Sequence, residues 1–180
     1  MKTFFISDTH FNHKNILTYC KNTRKFKNID EMNNNIITNW NKMVSYDDTV
    51  YHLGDFAFGD INKTRDIINR LNGNIHLILG NHDNHLDKET LNLFSSYQHY
   101  LEINIEGFDI ILMHYPIAEF NGRHRGYFHL HGHCHGRYRT KERILDVGID
   151  NRNDCCLWSW EEIRDKLSKI DHPHSRHSKK

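Results

Sequence analysis

No Cys-x-x-C pair occurs among the four cysteines of this 180-residue chain, Cys20, Cys134, Cys155 and Cys156. That excludes a zinc ribbon and a thioredoxin-type dithiol, and the scatter fits reduced thiols better than a disulfide framework. An excess of one charge is equally absent: 24 Lys and Arg stand against 23 Asp and Glu, a net charge of +1. Stable nucleic-acid binding through bulk charge is therefore not expected, although a local basic patch is still allowed. Long apolar runs are missing too. Phe4-Phe5-Ile6 is far too short for the core of a signal peptide, and no segment approaches a membrane-spanning length. The expectation is a cytoplasmic protein with no membrane association. Neither an internal repeat nor a linker interrupts the chain. Residues 1–170 are expected to form one domain, large enough to bury about 70% of its unfolded surface. Asp171 to Lys180, polar and rich in histidine and lysine, is expected to be a disordered tail.

Histidine is what the chain has in quantity, 16 in all. Its most informative placement is Asn74 to Asp83, an apolar β-branched run that breaks at Gly80 and continues as Asn81-His82-Asp83. Ligands bind at the carboxyl ends of strands in open α/β sheets, and this is such an end. Further strands are predicted at Thr3–Ser7 and Thr49–Leu53. Helices are predicted near His13–Lys21, over Glu31–Val44 with Asp30 as N-cap, and over Asp60–Leu71. This β-α-β alternation implies parallel strands with right-handed crossovers. A short helix near Lys88–Phe94 follows. The second half then turns hairpin-rich, with Glu106-Gly107 between His99–Ile105 and Phe108–Met113. Short strands follow at Tyr127–Leu130 and Arg143–Val147. Ser159 and Glu162 spell a capping box for a last helix.

Five strand ends carry metal-ligand chemistry: Asp8-x-His10, Gly54-Asp55, Gly80-Asn81-His82-Asp83, His114 and Gly132-His133-Cys134-His135. Residues i and i+2 of a strand share a face, so Asp8 with His10 can clasp one ion, and His133 with His135 can do likewise or reach two adjacent ions. Carboxylate, imidazole and amide oxygen suit manganese, iron or zinc better than a soft metal. A carboxylate such as Asp55 is able to bridge two ions. Any one block alone is an ordinary turn; five together are not.

All five blocks, in this order, resemble the complete signature of the calcineurin-like metallophosphoesterases. The wording around Ser7–Ile16 and Leu53–Gly59 is similar to a small bacterial and phage branch. The resemblance implies a four-layer α/β/β/α sandwich of two facing mixed sheets. It implies two divalent metals, manganese first, with iron, zinc or nickel as alternatives. One would be held by Asp8, His10, Asp55 and His135, the other by Asp55, Asn81, His114 and His133, with a hydroxide between them as nucleophile. His82 is implied as a transition-state or leaving-group catalyst, with Asp83 orienting it through the other ring nitrogen.

The activity expected is that of a phosphodiesterase on a nucleotide or cyclic nucleotide. A phosphomonoesterase or nuclease is the nearer alternative, and a non-catalytic metal-binding scaffold the remoter one. His52 and His76, inside strands, read as satisfied core histidines, and Cys134 as buried filler. Asn12 and His13 are substrate-phosphate candidates or a polar helix start. Arg123 and Arg125, in the segment Glu119–His131 tethered between His114 and His133, are candidates for a phosphate-facing role or members of a solvated loop. Arg137 is a weaker candidate of the same kind.

Overall fold

A computed structural model describes residues 1–152 and 155–171; most of the expected tail, residues 172–180, lies outside the described residues. The first half builds three parallel strands, β1 (Thr3–Ile6), β2 (Thr49–His52) and β3 (Asn74–Ile78), paired in register as β1 to β2 and β2 to β3. Between β1 and β2 lie α1 (Ile16–Tyr19) and α2 (Ile29–Met43); α3 (Ile61–Ile68) links β2 to β3. The first helix is shorter than its polar surroundings suggested. The second starts earlier than expected, because Asn28 and not Asp30 is its cap: the Asn28 side chain accepts from the Glu31 N–H. After the short α4 (Lys88–Leu91), β4 (Ser96–Gln98) adds to β3, and β9 (Trp158–Ser159) pairs antiparallel with β1. The first sheet thus runs β4-β3-β2-β1-β9.

The second sheet runs β5-β6-β7-β8, from β5 (Tyr100–Ile105), β6 (Phe108–Met113), β7 (Phe128–His131) and β8 (Ile144–Asp146). Only β5 and β6 pair antiparallel, and Glu106 (φ 52°) and Gly107 (φ 85°) close them with the two left-handed residues that a type I′ hairpin requires. The last helix, α5 (Trp160–Leu167), opens with the capping box expected at Ser159 and Glu162.

The alternation of β1 divides the apolar interior in two. Phe4 and Ile6 face Met32, Ile36 and Trp40 of α2 in a core between helices and sheet. Phe5, on the opposite face, joins Leu53, Ile78, Leu112, Leu130 and, from α5, Trp160 and Ile163 in a core between the two sheets. Burying each of these side chains contributes on the order of 1.5–3 kcal/mol. That packing makes the two sheets face each other and brings the carboxyl ends of β1, β2, β3, β6 and β7 to one rim. A parallel bridge between Ser7 and Gly148 stitches the sheets there.

Candidate metal centre

The rim is held by backbone hydrogen bonds between loops. The N–H groups of Asp8 and His10 donate to the carbonyls of Gly54 and Asp55, both at 3.0 Å. The loops also approach more closely than side chains allow. A Cβ on Gly54 would lie 2.6 Å from the Gly80 nitrogen and 2.7 Å from Nδ1 of His114, which is why the turns after β2 and β3 both carry glycine.

Five of the seven expected ligands are in the left-handed region: Asp8 (φ 57°), His10 (48°), Asp55 (55°), His133 (67°) and His135 (47°). For residues with a Cβ this conformation costs on the order of 1–3 kcal/mol each, and it persists only where surrounding packing imposes it. Asp8 with His10, and His133 with His135, therefore do not share the face of a strand as their spacing suggested. They lie beyond the ends of β1 and β7, where turns bring Asp8 and His10 together but send His133 and His135 to two different groups.

Asp8, His10 and His135 form one cluster with ligand atoms within 4.8 Å of one another; Asp55, His114 and His133 form a second on the same criterion. Asp55 joins them: its Oδ2 lies 3.6 Å from Nε2 of His10 and 3.5 Å from Nε2 of His114. Nδ1 of His114 is occupied by the Leu53 carbonyl at 2.7 Å, which turns Nε2 toward Asp55 and toward Oδ1 of Asn81, 3.1 Å away.

The donor set fits divalent cations on two observations of its own. Both ring nitrogens of His10 are buried without a hydrogen-bond partner, and burial, reinforced by the Arg24 charge, pulls its pKa down to about 2. It is thus a neutral imidazole with an unused lone pair, an arrangement a core avoids unless something else accepts it. Asp8, buried beside it, has its carboxyl pushed up to about 7 by desolvation despite the neighbouring His135 and His114. A cation would relieve that penalty. Burial also raises the Asp55 carboxyl, but His114 and the His82 N–H, donating at 2.9 Å, override it and hold the group below the usual carboxylate range.

Around this centre lie groups the sequence did not single out. Arg24, 1% exposed, forks onto Asp150 at 3.0 and 2.6 Å and donates to the carbonyls of Asp8 and Thr9 at 2.5 and 3.0 Å. Asp150 in turn receives Nδ1 of His135 at 2.7 Å. Burial disfavours charge on His135, but this hydrogen bond, the Cys20 thiol and the charges of Asp8 and Asp150 together outweigh it and drive the pKa up to about 10. The one hint was Val147-Gly148-Ile149-Asp150, which ends β8 with glycine and a carboxylate as β2 ends with Gly54-Asp55. Nothing near Arg24 marks it out.

The expected contact of Asp83 and the phosphate-facing reading of Arg123 and Arg125 are corrected. Asp83 does not reach the ring of His82. Its carboxylate turns inward and accepts the N–H groups of Asp55, Phe56 and Gly80 at 2.9, 2.9 and 2.8 Å, so it locks the β2 and β3 turns together. Arg123 does not face the centre either: its guanidinium forks onto Glu142 at 2.9 and 2.5 Å and also pairs with Glu119. Arg125 donates to Asn121 and lies over Tyr127, 4.9 Å from the ring centroid. Tethering both ends of this segment at the rim left its middle free to fold away. Arg123→Ala is accordingly expected to leave divalent-cation binding at the rim intact and to lower only the melting temperature, as titration and thermal scan on one preparation would check.

The other candidates fall nearer. His82 and His13 line, with Arg137, Tyr19 and His135, a cleft of about 610 Å³ beside the first cluster. The His82 ring lies 5.4 Å from that of His10. The Asn12 side chain is tied to Asn33 of α2 at 2.8 Å. His52 is a satisfied core histidine: Nδ1 accepts from the Gly54 N–H and Nε2 meets the Thr9 hydroxyl at 2.9 Å.

The chain matches the family model of calcineurin-like phosphoesterases over residues 1–174. It is 37% identical to an uncharacterized protein of Methanocaldococcus jannaschii over 158 residues, covering 83% of this chain and 82% of the relative. It resembles the crystal structure of a protein of unknown function from Aquifex aeolicus, with a TM-score of 0.74 and 30% identity over 92% of this chain and 99% of that one. An archaeal protein described as a novel phosphodiesterase shares the fold, with a TM-score of 0.50 and 21% identity over 82% of this chain and 84% of that one. The chain belongs to the calcineurin-like phosphoesterase family, a family of metal-binding hydrolases. Among the described residues no helix is long and apolar enough to cross a membrane.

Proposed function

We propose that this protein is a dinuclear metal-dependent phosphodiesterase acting on a nucleotide or cyclic nucleotide. The observation that carries the dinuclear reading is that Asp55 Oδ2 lies close to both groups, 3.6 Å from Nε2 of His10 and 3.5 Å from Nε2 of His114. One metal would be held by Asp8, His10, Asp55 and His135, and the other by Asp55, Asn81, His114 and His133. Two divalent ions there would acidify a water and neutralise the phosphoryl oxygens.

The remaining work falls to the chain. Asp150, fixed by Arg24, holds Nδ1 of His135 so that Nε2 is left toward the centre. The His114 ring is fixed in the same sense by the Leu53 carbonyl. His82, beside the cleft, would donate a proton to the departing alkoxide. A scaffold that only bound partners would have no use for an imidazole at that position.

Asp150→Asn should lower manganese affinity about 10–100-fold, the usual cost of losing an outer-shell partner of a ligating histidine. Calorimetric titration would measure it, with circular dichroism confirming that the variant still folds around Arg24. The function itself is tested by assaying the manganese-loaded protein against nucleoside monophosphates, dinucleotides, cyclic nucleotides and longer single strands. Diester cleavage lost on chelation is the expected result. Preference for monoesters would make it a phosphomonoesterase, and preference for long strands a nuclease.

A further inference from the structure

Two aromatic side chains beside the cleft serve no core. Tyr19 is 71% exposed at the end of α1, and Phe58 is 43% exposed in the loop after β2. Single exposed aromatics are ordinary, but these two flank one residue of the cleft wall. The His13 ring lies 6.1 Å from Tyr19 and 4.5 Å from Phe58, and Phe58 lies 5.7 Å from His82. The result is a row of three rings with His13 in the middle, 5.5 Å from the ring of His10, and Tyr19 at the more exposed end. Arg137 brings a permanent positive charge to the same cleft.

We infer that Tyr19, His13 and Phe58 form a stacking wall for a nucleobase, so that the substrate is a phosphodiester recognised through its base as well as its phosphate. This deepens the phosphodiesterase reading and rests on it. Conformationally restricted rings lose little entropy on binding, and a half-exposed ring offers its face without repacking. A base laid on it covers apolar surface that is otherwise wet, while the sugar-phosphate reaches His82. Stacking is tolerant of base identity, because every base has a π-face. The wall should therefore demand a base without choosing strongly among the four. Arg137 would hold a further phosphate where the substrate has one.

The test compares two substrates with the same scissile bond: a dinucleotide, and the same diester with tetrahydrofuran residues replacing both nucleosides. The manganese-loaded parent should prefer the dinucleotide about tenfold in kcat/KM, the order of one stacked base. Tyr19→Ala and Phe58→Ala should erase most of that preference, and Tyr19→Trp should keep it. Tyr19 is exposed, so its alanine variant has no core to lose. A second readout is equilibrium binding of AMP against inorganic phosphate. The alanine variants should lose about tenfold in AMP affinity relative to phosphate. A parent that cleaves both diesters equally, or variants that keep the preference, would overturn the wall while sparing the phosphodiesterase reading. AMP binding that depends on Tyr19 in a protein cleaving neither diester would do the reverse.

Discussion

Asp55→Asn should abolish measurable turnover, with kcat/KM falling about 10³-fold or more, since a metal supplies several kcal/mol of transition-state stabilisation. The substitution is nearly isosteric, so the effect follows from chemistry and not from packing. Oδ1 of Asp55 accepts the His82 N–H at 2.9 Å, and an asparagine oxygen can keep that bond. Oδ2 is the atom between His10 and His114, and an amide nitrogen there presents hydrogens where a cation is expected. Both halves of the centre lose their shared anion at once. Asp8→Asn, by contrast, touches one half only and should be milder in metal content. Steady-state assay with saturating manganese measures the first effect, and a variant within tenfold of the parent would show that Asp55 does not bridge two metals.

His82→Ala should lower kcat about 10²–10⁴-fold, the range for a positioned general acid, while leaving metal content near that of the parent. The bond from this residue to Asp55 runs through the backbone N–H, so alanine preserves it and removes only the imidazole. The loss should shrink for a nitrophenolate leaving group, which departs without protonation, and should be full for an alkoxide. Equal losses on both leaving groups would assign His82 to phosphate binding. Loss of metal would make it a ligand.

The rim itself was legible, because each block combines an apolar run with a polar end. A buried strand must be apolar, and Gly54 and Gly80 mark turns where backbones touch. The Glu106-Gly107 hairpin and the Ser159 cap were legible for the same reason: local chemistry decides them. What escaped reading is what long-range contacts decide. Arg24 meets Asp150 across 126 positions, and Arg123 meets Glu142 across 19, and nothing in either neighbourhood names its partner. Asp83 sits next to His82 in sequence, yet its oxygens face three N–H groups of the turns, because a buried carboxylate goes where donors converge. The left-handed turns were half visible. Asp, Asn and His tolerate positive φ better than most residues, and they are the types found at Asp8, His10, Asn12, Asp55, His133 and His135.

Whether Asp55 joins two metal sites is decided by anomalous scattering from crystals grown with manganese. Two peaks are expected, one among Asp8, His10 and His135 and one among Asp55, His114 and His133, with the Asp55 carboxylate between them. A single peak, or a peak in the neighbouring group of Cys20, His135 and Asp150 in place of either, would contradict that role of Asp55.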